Sequence, residues 1–390
     1  MTSAVAAPVG LDPALSLDAV GPIPVNEPLL DGNERAYLLD CIDTGWISSE
    51  GPFVERFEAA MAAKVNRRYG IGVANGSAAL DIAVAALRLG PGDEVILPSF
   101  TIISCAAAIV RAGATPVVVD CDPLTLNSTA DHYAAAITPR TKALMVVHIY
   151  GLPVDMDPIL ALAERHGLAV IEDAAEMHGQ TYKGRPCGSF GHLSTFSFYP
   201  NKLVTSGEGG MVMTDDPELA ERCRSLRNLC FNNRQRFIHD EIGWNYRLTN
   251  MQAALGLAQV EKLEQTVARK REIGRVYTDL LADLPGVQIP LTGTDYAEGL
   301  YWVFSLILDD SMEMDAKAAM AVLADHKIGT RPFFWPMHEQ PVFRKMGLFE
   351  GVSCPVAERI ARRGFYVPSG VGVTEIQMRR VAAVVRQVLK

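Results

Sequence analysis

The sequence predicts an α/β fold: a large domain with a central, mostly parallel sheet flanked by helices, and a smaller C-terminal α/β domain. Three observations carry this. Short β-branched runs alternate with helix-spaced segments from residue 54 to 215. Each run is bounded by Gly, Pro or Asp, the pattern of strands joined through helices and covered on both faces. The chain has 390 residues, 49% hydrophobic and 21% charged, which is enough for one large core with a smaller domain packed on it.

The elements follow in order. Residues 54–64 have helix spacing, and the turn Asn75–Ser77 leads into a helix closed by Gly90. The run EVILP, a helix over 101–112, the run TPVVVD and a helix near 130–137 come next. KALMVVHIYG, a helix over 157–166, LAVIEDAA, STFSF and GGMVMT complete the alternation. Residues 216–275 are mainly helical, with an irregular stretch near 230–248. The strand YWVFSLIL and helices over 315–326 and 374–389 form the smaller domain. The expected division is an N-terminal extension (1–22), a large domain (23–255) carrying a loop at 44–52, and a small domain (256–390).

Charge and cysteine usage narrow the classes. Net charge is −9, from 36 basic and 45 acidic residues, and no basic run is long enough to track a phosphate backbone, which argues against nucleic acid. The seven cysteines are scattered without a CxxC pair, so reduced thiols fit better than disulfides or zinc, and no metal is expected. The first twenty residues lack the basic n-region of a signal peptide. No apolar stretch approaches the roughly 20 residues of a membrane span. A soluble cytoplasmic protein is expected.

Three segments bear chemistry. At Asn75-Gly76-Ser77-Ala78-Ala79 a strand turns into a helix. Gly76 permits the turn, Ser77 can cap, and the first free N–H groups can bind phosphate; a plain capped turn is the competing reading. Gly70 and Gly72 suggest a dinucleotide fingerprint, but the third glycine is one residue late. In LAVIEDAAE (168–176) four apolar residues deliver Glu172 and Asp173 to the C-terminal end of a buried strand, where ligand groups collect; a helix cap is the alternative for Asp173. Ser194 to Lys202 forms an alternating strand that ends in a lysine, before a glycine-rich loop at 206–210. Pyridoxal chemistry needs these three parts: a lysine for the imine, an acid for the pyridine nitrogen and an anion cradle.

With these parts in that order, the chain resembles the sugar aminotransferases of the DegT/DnrJ/EryC1/StrS family, a branch of fold-type-I pyridoxal-phosphate enzymes. The resemblance rests on LDGNE (30–34), TGWISSEGPFVERFE (44–58), NGSAAL (75–80), GDEVILPSFT (92–101), HIYG (148–151), IEDAAE (171–176), FSFYPNK (196–202), GEGGM (207–211) and NYRLTNMQAALGLAQVE (245–261). It implies pyridoxal 5'-phosphate as cofactor, with pyridoxamine 5'-phosphate as its amino-carrying form. Lys202 would hold the cofactor as a Schiff base and shuttle a proton. Asp173 would pair with the pyridine nitrogen, and Glu176 would lie near the ring hydroxyl. The backbone at Gly76, Ser77 and Ala78, with the Ser197 hydroxyl, would hold the phosphate. Asn245 would reach it from the neighbouring subunit of a homodimer with shared active sites. The family commonly has an aromatic residue over the ring where this chain has Ile102, so either Ile102 packs there or Phe100 turns inward.

Within that family the opening segments and TRPFFWPMH (330–338) are most similar to the GDP-perosamine synthases. That implies L-glutamate as donor and a nucleotide-linked 4-keto-6-deoxy sugar as acceptor; dTDP- or UDP-linked 3- or 4-keto sugars remain alternatives. Arg247 and Arg331 are candidates for pyrophosphate or carboxylate, because guanidinium forks bind planar anions, although ion pairing at the surface competes. His338 is a candidate for a sugar hydroxyl against a buried, satisfied histidine. By resemblance Trp46, Ser48 and Ser49 line the sugar side. The loop at 228–240 departs from the subgroup. A sugar 3-dehydratase would replace Lys202 with histidine, and a cysteine desulfurase needs a reactive loop cysteine that nothing here marks. A non-catalytic regulatory relative is disfavoured by the Lys202/Asp173 pair.

Overall fold

The computed structural model describes residues 15, 20–231 and 237–389. Its apolar runs pair into one seven-stranded sheet. The strands are β1 (Tyr69–Val73), β2 (Glu94–Pro98), β3 (Thr115–Val119), β4 (Thr141–Val147), β5 (Ala169–Asp173), β6 (Leu193–Ser197) and β7 (Gly210–Thr214), in the order β1-β7-β6-β5-β4-β2-β3. Only β7 runs against its neighbours; the pairs from β6 through β3 are parallel. β2 and β7 are buried throughout and β4 and β5 nearly so, as strands under helices on both faces must be. Chain order reverses between β2 and β4, and the crevice beyond the carboxyl ends at such a reversal is where α/β sheets bind ligands. Gly70 and Gly72 lie inside β1. A Cβ on Gly70 would stand 2.7 Å from the Glu58 carbonyl, so this glycine permits close packing and is no part of a dinucleotide turn.

The helices match the periodic segments: α1 (Glu34–Thr44), α2 (Pro52–Lys64), α3 (Gly76–Ala86), α4 (Ile103–Arg111), α5 (Ala130–Ala135), α6 (Met156–His166), α7 (Pro217–Arg227), α8 (Asn250–Glu261) and α9 (Leu263–Leu281). Helix α1 was not expected, since its apolar stripe is weak and it is held by packing on α8. A second sheet, β8 (Val287–Gln288), β9 (Phe304–Leu308), β10 (Arg331–Pro332) and β11 (Gly364–Val367), is antiparallel throughout. Around it lie α10 (Ala316–Asp325), α11 (Pro341–Lys345), α12 (Pro355–Arg363) and α13 (Glu375–Val388). β9 begins later than expected. Tyr301 takes a left-handed φ of 55°, and residues 300–302 lie against the turn at Gly151, where a Cβ would stand 2.6 Å from the Trp302 nitrogen.

Two apolar cores result. The larger surrounds the seven-stranded sheet; the smaller joins Tyr277, Phe304, Leu323, Phe365 and Val381. The expected division at 255/256 is corrected, because it falls inside α8, whose one continuous face packs on α1 and α2. Helix α9 serves both cores: Leu263 and Val267 enter the larger, Ile273, Tyr277 and Leu281 the smaller. Ile23 belongs to the smaller core and pairs with Ile328. Most of the expected extension 1–22 lies outside the described residues, and no helix among those described is long and apolar enough to cross a membrane. All seven cysteines are buried and unpaired.

One buried asparagine fixes the 44–52 loop. The Asn250 side chain accepts the Phe53 N–H at 2.8 Å and donates to the Trp46 carbonyl at 2.7 Å, while its own N–H reaches the Ser48 carbonyl at 2.5 Å. Gly51, at φ 143°, backs onto it, and a Cβ there would sit 2.5 Å from Asn250 Cγ. Replacing Asn250 by alanine leaves the Phe53 and Trp46 groups unpaired. Asn250→Ala is therefore expected to lower unfolding free energy by about 2–4 kcal/mol in a denaturant titration. An unchanged midpoint would show that the clamp contributes nothing.

Candidate active site

A cleft of about 630 Å³ opens at the carboxyl edge of the large sheet. It brings together Gly76, Ser77, Ile102, Asp173, Glu176, Ser197 and Lys202, seven of the residues singled out in the sequence. Asp173 ends β5, held between β4 and β6, and is buried. Its Oδ1 accepts the Ala175 N–H at 3.1 Å and the Thr195 hydroxyl at 3.4 Å; its Oδ2 accepts the Cys105 thiol at 3.3 Å. No helix follows Asp173, so the helix-cap reading fails. Burial raises its pKa above the usual carboxylate range, opposed by the Ala175 N–H and the Cys105 thiol.

Lys202 follows β6 through a turn in which its N–H reaches the Tyr199 carbonyl at 2.9 Å. The side chain is 11% exposed, and Nζ lies 3.6 Å from Glu176 Oε1. Burial pulls the amine below its ordinary pKa, while Glu176 and Asp173 pull the other way. Burial also pushes Glu176 up to about 7, although Lys202 opposes it. Glu176 Oε2 accepts the Tyr150 N–H at 2.7 Å. That geometry requires a left-handed φ of 54° at Tyr150, a rare conformation for an aromatic residue and of the kind retained at functional sites.

Opposite lies the start of α3. Its cap is Asn75, not Ser77: the Asn75 side chain accepts the Ala78 N–H at 2.8 Å. This corrects the expectation for Ala78, whose N–H is already taken by the cap. The Gly76 and Ser77 N–H groups, first in the helix, have no intrahelical acceptor and are free for an anion. Gly76 is required by proximity, since a Cβ would meet Ser197 Cβ at 2.7 Å. The Ser77 and Ser104 hydroxyls stand 2.7 Å apart, so the cradle carries a hydroxyl the sequence did not mark.

The remaining candidates are spread out. Ile102 faces the cleft at 44% exposure, whereas Phe100 is fully buried against Tyr150, Phe333 and Phe334. The side chain over the cleft is thus aliphatic, and Phe100 does not turn inward. Asn245 is exposed and bridges Asn228. Arg247 donates to Asn228 Oδ1 at 2.8 Å and lines a second cavity, of about 660 Å³, with Ser49, Arg224 and Arg227. Trp46 and Ser48 are exposed on the clamped loop. Arg331 is exposed on β10, opposite Tyr366, which lines the cleft. The expectation for His338 is corrected: it is buried, with Nδ1 at 2.7 Å from the Ser99 hydroxyl and Nε2 at 2.9 Å from Glu358, so neither nitrogen is free for a sugar. His148, Glu172 and Cys187 bring three metal-ligand types together. Glu172 there accepts the Gly188 and Phe190 N–H groups and faces His148 Nε2 at 3.0 Å, which makes it a filled structural clamp. Cleft residues that sequence reasoning missed include Ser104, Trp302 and Tyr366. Trp302 and Tyr366 come from the smaller domain, and no local pattern announces which of its side chains reach the cleft.

Residues 28–386 match the DegT/DnrJ/EryC1/StrS aminotransferase family. The chain is 43% identical over 371 residues to a GDP-perosamine synthase of Caulobacter vibrioides, covering 94% of this chain and 98% of that one. It is 38% identical over 367 residues to a pleiotropic regulatory protein of Geobacillus stearothermophilus, covering 92% and 97%. Among solved structures, the aminotransferase TlmJ from Streptoalloteichus hindustanus superposes with a TM-score of 0.87 at 32% identity, covering 94% of this chain and 98% of that one. By sequence and by fold, the chain belongs to the DegT/DnrJ/EryC1/StrS aminotransferase family.

Proposed function

We propose that this protein is a pyridoxal-phosphate-dependent aminotransferase that moves the amino group of L-glutamate to GDP-4-keto-6-deoxymannose, giving GDP-perosamine. One observation carries the cofactor reading: a buried amine, a buried acid and a free helix N-terminus converge on one cleft. Lys202 Nζ is the amine, held 3.6 Å from Glu176. Asp173 is the acid, and the Gly76–Ser77 backbone with the Ser77 and Ser197 hydroxyls is the anion cradle. These residues fit pyridoxal phosphate. When bound, it supplies a carbonyl for imine chemistry and a cationic ring that draws electrons from the substrate carbon.

The chain's own groups then take definite roles. Asp173, ionised against a cationic ring nitrogen, keeps the proton on that nitrogen. Lys202 gives and takes the proton at the reacting carbon through Nζ, and burial pulls the amine below its ordinary pKa, towards the neutral form that accepts a proton. Glu176 anchors one side of the site through the Tyr150 N–H. The acceptor assignment rests on the relative named GDP-perosamine synthase, similar over nearly its whole length. The relative named as a regulatory protein favours a second reading, a regulator that binds the cofactor without turnover. Incubating the enzyme and glutamate with GDP-, dTDP- and UDP-linked keto sugars, with detection of the amino sugar by mass, separates the two. Product from the GDP sugar alone is the expected result, and no product from any sugar favours the regulator.

Lys202→Ala is expected to lose both the visible absorbance of the lysine-bound cofactor and all measurable transamination while keeping its circular dichroism. Wild-type turnover in that variant overturns the assignment.

The homodimer is part of the same reading. Asn245 and Arg247 stand outside the first cleft of their own chain, and Leu39, Ile42, Trp46 and Ile47 expose apolar surface on and beside α1. In this reading the partner's Asn245 completes each phosphate cradle. Asn245→Asp sets a negative charge against the phosphate, so each single variant is inactive. Mixing Lys202→Ala and Asn245→Asp chains after reversible dissociation is then expected to restore activity to about a quarter of wild type, since about half the dimers are mixed and each has one intact site. No recovery means that each chain supplies its own Asn245.

A further inference from the structure

Trp302 makes two contacts with the chain around Lys202. Its indole ring faces the Lys202 ammonium, with Nζ 4.0 Å from the ring centre. Its Nε1–H donates to the Asn201 carbonyl at 3.0 Å, one residue before that lysine. The ring is 5% exposed and stacks on Tyr150, 5.9 Å away at 28°, and Tyr150 is the residue whose N–H holds Glu176. Trp302 precedes β9 of the second sheet, yet its side chain packs in the larger core. The Leu300 N–H, 3.1 Å from the Gly151 carbonyl, fixes that approach.

We propose, building on the cofactor reading above, that Trp302 is a positioning residue for Lys202: its indole face receives the lysine ammonium whenever that amine is not joined to the cofactor, and its N–H holds the turn that carries the lysine. In the reaction the lysine amine must leave the cofactor, stay close and return as a base. A free, hydrated lysine side chain has many rotamers, and the indole face selects one of them. A π face attracts the cation without accepting its proton, so the amine stays available, whereas a third carboxylate beside Glu176 and Asp173 would bind it too firmly. The groups that face Lys202 are Glu176, Asp173, the Cys105 thiol, His178 and this ring. Of these, Trp302 offers the cation a π face that carries no titratable proton.

The sign of the effect is fixed. The indole stabilises the ammonium, so its removal lowers the Lys202 pKa and makes the neutral amine available at lower pH. Capture of pyridoxal phosphate by the cofactor-free protein requires the neutral amine. In Trp302→Leu the pH midpoint of the capture rate is expected to fall by about one unit, given a desolvated cation–π contact. Trp302→Phe, which keeps a weaker face, should shift less. A second readout needs no cofactor: the tryptophan emission of the cofactor-free protein should show a titration step as Lys202 loses its proton. That step should be absent in Lys202→Met and in Trp302→Phe. The other three tryptophans, Trp46, Trp244 and Trp335, are common to wild type and Trp302→Phe, so the difference between these two emission titrations isolates the Trp302 step. A Trp302→Leu capture profile that superimposes on wild type, or a Trp302 emission step that survives Lys202→Met, overturns the proposal. If Trp302→Leu does not fold, Trp302→Phe carries the capture test by the same criterion. If the wild-type protein captures no cofactor, the cofactor reading fails, and the emission titration still decides the contact between Trp302 and Lys202.

Discussion

Burying the Lys202 amine 3.6 Å from the Glu176 carboxylate sets the terms for everything near the cleft. An amine and a carboxylate taken out of water need specific partners, because desolvation opposes both charges. Glu176 finds one in the Tyr150 N–H. Tyr150 can present that N–H only by adopting its left-handed backbone, which turns the chain into Gly151 and then against residues 300–302 of the smaller domain. That approach is what brings Trp302 over the lysine. A local electrostatic need thus propagates through one strained residue into the way the two cores meet.

The sheet supplies the rigidity that this arrangement needs. Asp173 stands in register with Val147 on β4 and Thr195 on β6, so its carboxylate is placed by hydrogen-bonded neighbours on both sides. Ser197 ends β6 close against Gly76, and the start of α3 and the lysine-bearing turn therefore meet at one strand end. The acid, the lysine and the cradle all sit at strand ends, where parallel packing leaves side chains open to a ligand.

Much of this was legible in the sequence because it is local. The alternation of apolar runs and helices yields the seven strands, and Asp173 and Lys202 are marked by their place at the ends of those runs, whereas Ser197 came only with the family resemblance. The errors share a cause as well. Ser77 looked like the cap, but Asn75 two residues earlier reaches the Ala78 N–H, a choice of one oxygen over another that spacing does not decide. His338 was open between a sugar contact and a buried, satisfied histidine, and the partners that decide it, Ser99 and Glu358, are 239 and 20 residues away. Helix α1 has almost no stripe of its own and exists because α8 covers it. Trp302 read as part of a strand, since nothing nearby reveals that a turn at Gly151 lifts it into the cleft.

Helix α9 has a consequence of a mechanical kind. Its 19 residues run unbroken for roughly 28 Å, with one end in the larger core and the other in the smaller. Midway, the buried Lys270 ammonium is tied to the Ser369 carbonyl at 2.5 Å, pinning the shaft to the loop after β11. A shaft anchored in two bodies transmits torque and does not flex at a joint. At this crossing the two bodies are geared together, and a swing of one away from the other would have to break the helix or the Lys270 tie.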